Sequence, residues 1–183
     1  MQKIPTIFLR NLENMKEILT THNPDYLWVF NNEGKATRKY DGTCCLIKNR
    51  NFFKRREIKK GKTSPIDFIQ ESYDEITGKK TGWVPVIDSN ENKYHLEAFN
   101  NHIFLDGTYE LVGPKIQGNP EHYDSHVLIP HSTAEEFYNI PVDFDNLKKW
   151  LTGRDIEGIV FHHSDGRMGK IKQCDFGLIR GEY

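Results

Sequence analysis

Four short segments of this chain carry side chains able to do chemistry. Lys39-Tyr40-Asp41-Gly42 puts a lysine at a strand end, just before a tight Asp-Gly turn. A lysine so held is a nucleophile where burial or nearby positive charge favours its neutral amine. Otherwise it is a solvated residue of a plain hairpin. Ile156-Glu157-Gly158-Ile159-Val160-Phe161 reads as an apolar strand beginning with one carboxylate. That carboxylate suits a divalent ion, directly or through water, or is simply a charge at a strand mouth. In Gly169-Lys170-Ile171-Lys172 the two lysines point to one face of a strand. They repel unless an anion such as phosphate sits between them, or unless the face is a solvated edge. Gly107-Thr108-Tyr109-Glu110-Leu111-Val112-Gly113-Pro114 sets Glu110 inside a strand that ends in a rigid Gly-Pro loop. There it accepts hydrogen bonds from ribose hydroxyls, or lies on the strand's polar face.

The elements that must position these residues are mostly short strands. Leu12, Met15, Ile18 and Leu19 share one helical face, so Asn11 to Thr21 is expected to be a helix ended by Asn23-Pro24. Strands are expected at Tyr26–Phe30, Lys35–Lys39, Thr43–Lys48, Phe52–Arg56, Trp83–Ile87, Tyr94–Phe99, Thr108–Val112, Val127–Ile129, Ile156–Phe161 and Met168–Lys172. Phe144 to Leu151 predicts a short helix with Phe144, Leu147 and Leu151 on one side. Many short strands with two or three helices predict an α+β fold with antiparallel sheets. No linker or repeat divides the chain, so one domain over 1–183 is expected.

Composition narrows the class further. The 183 residues are 37% hydrophobic, 12% aromatic and 28% charged, which excludes a disordered chain. No apolar run reaches membrane-spanning length, and Met-Gln-Lys-Ile-Pro-Thr is no secretion signal. The 3 cysteines (Cys44, Cys45 and Cys174) fit a reducing compartment, so the protein is expected inside the cell, in cytoplasm or nucleus. Neither they nor His162, His163, His122 and His126 form a zinc pattern. The formal charge of −1 hides a division: eight basic residues and one acid lie between Lys48 and Lys62. That block meets a polyanion, or keeps an edge strand solvated.

Taken in order, Lys-x-Asp-Gly, an arginine on the following hairpin, Glu-x-x-Gly-Pro, Glu-Gly-Ile-Val and Lys-x-Lys resemble the covalent nucleotidyltransferase superfamily of DNA ligases, RNA ligases and mRNA capping enzymes. Within it, five segments look like the small chordate-type 5′-to-3′ RNA ligases. These are Lys39-Tyr-Asp-Gly-Thr-Cys-Cys45, Gly82-Trp-Val-Pro-Val86, Gln117-Gly-Asn-Pro120, Val127-Leu-Ile-Pro-His131 and Ile156-Glu-Gly-Ile-Val160 with Ser164-Asp-Gly166. The resemblance runs from about residue 35 to 178. It differs from the ligase pattern at Tyr109, where a glycine is usual, and at Val127–Pro130, where an aromatic residue usually stacks on the purine.

This resemblance implies a ligase adenylation core of antiparallel sheets with flanking helices and no OB-fold domain. It implies ATP as cosubstrate with Mg²⁺ or Mn²⁺, and RNA bearing 5′-phosphate and 3′-hydroxyl ends as partner, handled by a monomer. Lys39 matches the nucleophile and Arg55 the arginine of the next motif, with Arg56 as the alternate. Glu110 matches the ribose contact, Glu157 the metal-associated carboxylate, and Lys170 and Lys172 the phosphate-binding pair. Ile129 is expected to take the base. Arg55, Arg56, Lys59 and Lys60 are expected to meet RNA. A GTP-dependent capping-type transferase, and an inactive nucleotide- or RNA-binding module of the same fold, are the alternatives.

Overall fold

The computed structural model describes residues 3–75, 77–100 and 102–183. In chain order its strands are β1 (Phe8–Arg10), β2 (Ile18–His22), β3 (Lys35–Lys39), β4 (Thr43–Lys48), β5 (Asn51–Ile58), β6 (Ile69–Asp74), β7 (Lys79–Pro85), β8 (Gly107–Val112), β9 (Val127–Pro130), β10 (Glu136–Phe137), β11 (Gly158–His162) and β12 (Met168–Lys172). Its helices are α1 (Leu27–Phe30), α2 (Lys93–Phe99) and α3 (Phe144–Leu151). All pairings between these strands are antiparallel. The fold is α+β, as the alternation of short strands and few helices requires.

Contacts divide the chain into two compact units. One comprises Asp41–Thr133 with Lys3, and the other comprises Ile4–Tyr40 with Ala134–Tyr183. The first unit holds a six-stranded sheet in the order β6-β7-β5-β4-β8-β9. Its apolar face carries Cys45, Ile47, Phe52, Tyr109, Leu111 and Leu128, and α2 covers that face through Ala98 and Phe99. Phe52 and Phe99 stack with ring centroids 4.7 Å apart. Strand alternation then puts Cys44 and Glu110 on the opposite face.

The second unit holds a four-stranded sheet, β10-β3-β11-β12. Ala36, Ile159, Phe161 and Ile171 face its core, where Leu147 and Leu151 of α3 join Phe8 and Phe176. Asp143 caps α3 by accepting the Asn146 N–H at 3.0 Å. The other face of this sheet bears the lysines.

Four sequence expectations are corrected. Asn11–Thr21 is not a helix: it is a turn followed by β2. Asn11 and Asn14 accept the backbone N–H groups of Glu13 and Lys16, which competes with helix formation, while Leu12 stays exposed. Tyr26–Phe30 is helical rather than extended. Asn23-Pro24 opens a 3₁₀ turn, with the Asn23 side chain accepting from Asp25 N–H, and the chain continues into α1. Tyr94–Phe99 forms α2 because its aromatic residues cover the sheet from one side. The strand expected from Ile156 begins at Gly158, so Glu157 sits in the approach to β11. Strands β1, β6 and β10 were not expected from the sequence.

Candidate functional site

The lysine cluster follows from register. On the sheet of the second unit, Gly158 of β11 lies opposite Lys39 of β3 on one side and Lys172 of β12 on the other. The next row on the same face is Thr37, Val160 and Lys170. Ile171, between the two lysines, is fully buried in the opposite face. Three ammonium groups therefore project from one side of the sheet.

Glu157 stands among them. One carboxylate oxygen accepts from Lys39 Nζ in a very short contact, and the other lies 3.2 Å from Lys172 Nζ. Gly158 makes this convergence possible. A Cβ there would stand 2.1 Å from the Ile171 carbonyl oxygen and 2.8 Å from the Lys172 Cα. The approach to Gly158 is held from below by Gln173, a buried side chain whose amide donates to the carbonyls of Leu151 and Arg154 at 2.8 and 2.7 Å. Its backbone N–H donates to the Glu157 carbonyl at 3.0 Å. Asp175 braces the other end, accepting the Lys172 N–H at 2.9 Å and Arg10 Nη2 at 2.6 Å.

The electrostatics are those of an anion site. Burial, reinforced by the charges of Lys39 and Lys172, lowers the Lys170 pKa from its ordinary value to about 8. Burial also works against the charge of Lys172, but Glu157, Cys174 and Asp175 together more than offset it, so its pKa lies above the usual lysine value. Three lysines around one glutamate leave an excess of positive charge on a half-buried surface, which suits a polyphosphate.

The sheet of the first unit carries a second row. Trp83 pairs with Arg55, Cys44 with Glu110, and Glu110 with Ile129. The Arg55 guanidinium lies beside the Cys44 thiol, joining these pairs into one line across five strands. Burial and the nearby Glu110 carboxylate push that thiol up to about 12, so it stays an inert neutral group. Arg55, Glu110 and Ile129 thus share a face. Arg56 points to the opposite face, with Lys54. Lys59 and Lys60 are exposed in the loop after β5.

Gly42 of the Asp-Gly turn meets the same sheet. A Cβ at Gly42 would lie 2.2 Å from the Leu111 carbonyl oxygen and 3.0 Å from Glu110 Cγ. The Asp41 N–H donates to Glu121 at 2.9 Å, which fixes the turn that follows Lys39 in sequence. Two polar groups beside this sheet carry no signal of their own in the sequence. His131 stands 3.0 Å from Glu110, and Lys54 is held by Glu91 and Asn92, both at 2.7 Å. His131 does lie in the segment Val127–His131, at the strand period from Ile129.

Among the described residues no group of three or more His, Cys, Asp or Glu side chains forms a metal cluster. A lone carboxylate among ammonium groups suits Mg²⁺ arriving with phosphate oxygens, since that ion keeps several waters and takes one or two carboxylates. No helix among the described residues is long and apolar enough to cross a membrane.

Comparison with known proteins places the chain in a family. A sequence profile described as RNA ligase 1 matches residues 87–182, a stretch that includes Glu110, Ile129, Glu157, Lys170 and Lys172. The protein named RNA ligase 1 from Pongo abelii is 40% identical over 83 residues, which are 40% of this chain and 25% of that protein. Its namesake from Rattus norvegicus is 37% identical over an equal share. The namesake from Danio rerio is 24% identical over an alignment covering 97% of this chain and 81% of that protein. The matched region is thus about a quarter of the length of the two mammalian relatives. With the profile covering more than half of its residues, the chain belongs to the RNA ligase 1 family.

Proposed function

We propose that this protein is an ATP-dependent 5′-to-3′ RNA ligase with a nucleotidyltransferase core, working through lysyl-AMP and RNA-adenylate intermediates. The observation that carries the reading is the row Lys39–Gly158–Lys172, with Glu157 bonded to both lysines and Lys170 next on the same face. Such a cluster offers a nucleophile and the charge to hold a phosphate in one place. Family membership supports RNA as the substrate.

In the first step the Lys39 amine, having given up a proton, attacks the α-phosphorus of ATP. The nitrogen–phosphorus bond forms as the bond to pyrophosphate breaks. Lys170 and Lys172 hold the phosphoryl oxygens and stabilise the charge that spreads over them. Glu157 keeps the Lys39 amine on the sheet face and is the residue to hold Mg²⁺. That ion, when bound, neutralises phosphate charge and orients the leaving group. Glu110 takes the ribose hydroxyls, Ile129 lies against the base and Arg55 joins them. In the second step an RNA 5′-phosphate oxygen attacks the adenylate phosphorus, and the bond to Lys39 breaks. In the third step an RNA 3′-hydroxyl attacks that 5′-phosphate and releases AMP. Arg55, Arg56, Lys59 and Lys60 meet the strand's phosphates.

The test is a joining assay on labelled single-stranded and nicked RNA with Mg²⁺ or Mn²⁺. Joined product is expected only with ATP, a 5′-phosphate and a 3′-hydroxyl, and none from Lys39→Ala. Joining of 5′-hydroxyl ends, or joining without ATP by protein stripped with pyrophosphate, would overturn the reading.

A further inference from the structure

We infer that His131 is a positioning residue that turns the Glu110 carboxylate toward the nucleotide's ribose, and so sets the enzyme's preference for a ribonucleotide. The inference rests on the proposed role of Glu110.

Glu110 is a buried carboxylate whose immediate cross-strand neighbours are Cys44 and Ile129. Neither neighbour is a strong donor. A buried carboxylate in such a place needs a hydrogen-bond donor. His131 supplies one. It opens the one-turn helix His131–Thr133 that ends β9, two residues beyond Ile129. Its Nε2 lies 3.0 Å from Glu110 Oε2, and its Nδ1 lies 3.0 Å from the Thr108 hydroxyl.

Chemistry fixes the direction of both bonds. The carboxylate only accepts, so Nε2 carries the proton. In the neutral ring Nδ1 then accepts the Thr108 hydroxyl proton. Thr108 and Glu110 are two apart on β8, so both point to the same face and grip the ring from one strand. The result is an asymmetric carboxylate. Oε2 is occupied by the imidazole. Oε1 has no hydrogen-bond donor among the described residues. A ribose hydroxyl donating to Oε1 therefore meets an acceptor whose plane is already set, and little ordering remains to be done on binding.

The test measures lysyl-AMP formation from ATP, 2′-deoxy-ATP and 3′-deoxy-ATP in wild type, His131→Ala, His131→Gln and Thr108→Val, with thermal melting alongside. His131→Ala is expected to raise KM for ATP by roughly tenfold, the size of one charge-assisted hydrogen bond, with kcat changed by less than about twofold. The preference for ATP over at least one deoxy analogue should fall by a similar factor. His131→Gln, which returns an N–H at about the same reach, should restore most of it. Thr108→Val should show a smaller loss in the same direction. Should His131→Ala fail to fold, His131→Gln and Thr108→Val still decide, because both keep a polar or isosteric side chain. Equal losses for ATP and both deoxy analogues would mean that His131 only supports the fold, and would overturn the inference. Unchanged discrimination in an active, folded variant would do the same. Absence of any adduct from wild type overturns the ligase reading, and this inference with it.

Discussion

Replacing Lys170 by methionine should stabilise the protein while abolishing its chemistry. Lys170 has no ion-pair partner among the described residues, although its neighbours Lys39 and Lys172 both hold Glu157. Its main chain is secured separately: Lys170 N–H donates to the Pro5 carbonyl at 2.9 Å, and its carbonyl accepts from Ile7 at 3.1 Å. The side chain can therefore change without loosening β12. Burial and two like charges bring its pKa down from 10.5 to about 8. A lowered lysine pKa means that the charged form is disfavoured in the fold, by about 3 kcal/mol at neutral pH. Between about pH 8 and 10.5 the unfolded chain still holds the Lys170 proton and the folded chain has lost it, so wild-type stability rises with pH there. Lys170→Met lacks this contribution. Its advantage over wild type should be about 3 kcal/mol below pH 8 and should shrink toward zero by about pH 10.5. Urea unfolding followed by tryptophan fluorescence, in metal-free buffer at a series of pH values, measures this difference. A variant less stable than wild type at pH 7, or a gap that does not vary with pH, would refute the reasoning. The same variant should form no lysyl-AMP, because the charge that burial and its neighbours disfavour is the one that holds phosphate.

The supports of the cluster can be probed in the same way. Gly158→Ala should cost about 1–3 kcal/mol in unfolding experiments and suppress adenylate formation, since its Cβ meets the β12 main chain at 2.1 Å. Gln173→Leu strands the Leu151 and Arg154 carbonyls without their donor and should cost about 2–4 kcal/mol, read as a lowered urea midpoint. RNA binding should weaken steeply with salt. Lys59→Ala with Lys60→Ala should flatten the plot of log affinity against log salt by about 0.7 for each phosphate no longer neutralised. Lys54→Ala should leave that slope unchanged, because Glu91 and Asn92 already hold its ammonium group.

Much of the lysine cluster was legible in the sequence because strand parity is a local property. Lys170 and Lys172 flank an apolar residue, and β12 runs over the expected Met168–Lys172. Parity also separates Arg55 from Arg56: adjacent residues of a strand must face opposite ways, but only cross-strand register shows that Arg55 falls in line with Cys44 and Glu110. Glu157 was found by its motif but misplaced within it. Its loop position depends on Gln173, whose bonds reach back to Leu151 and Arg154, and such long-range clamps leave no periodic trace. His131 was invisible for a similar reason. A single histidine after a proline has no pattern of its own, and its role appears only when β8 and β9 are paired. Apolar spacing alone predicts a helix over Asn11–Thr21, and the asparagines, whose side chains bond the local backbone, override it.

The central claim is that Lys39 becomes covalently bound to AMP. Intact-mass spectra of the purified protein, taken after incubation with Mg²⁺ and ATP, beside GTP and beside Lys39→Ala, test it most directly. A mass gain of one AMP is predicted with ATP alone, and none in the Lys39 variant. A GMP adduct, an AMP adduct that survives Lys39→Ala, or no adduct on pyrophosphate-stripped protein would contradict it.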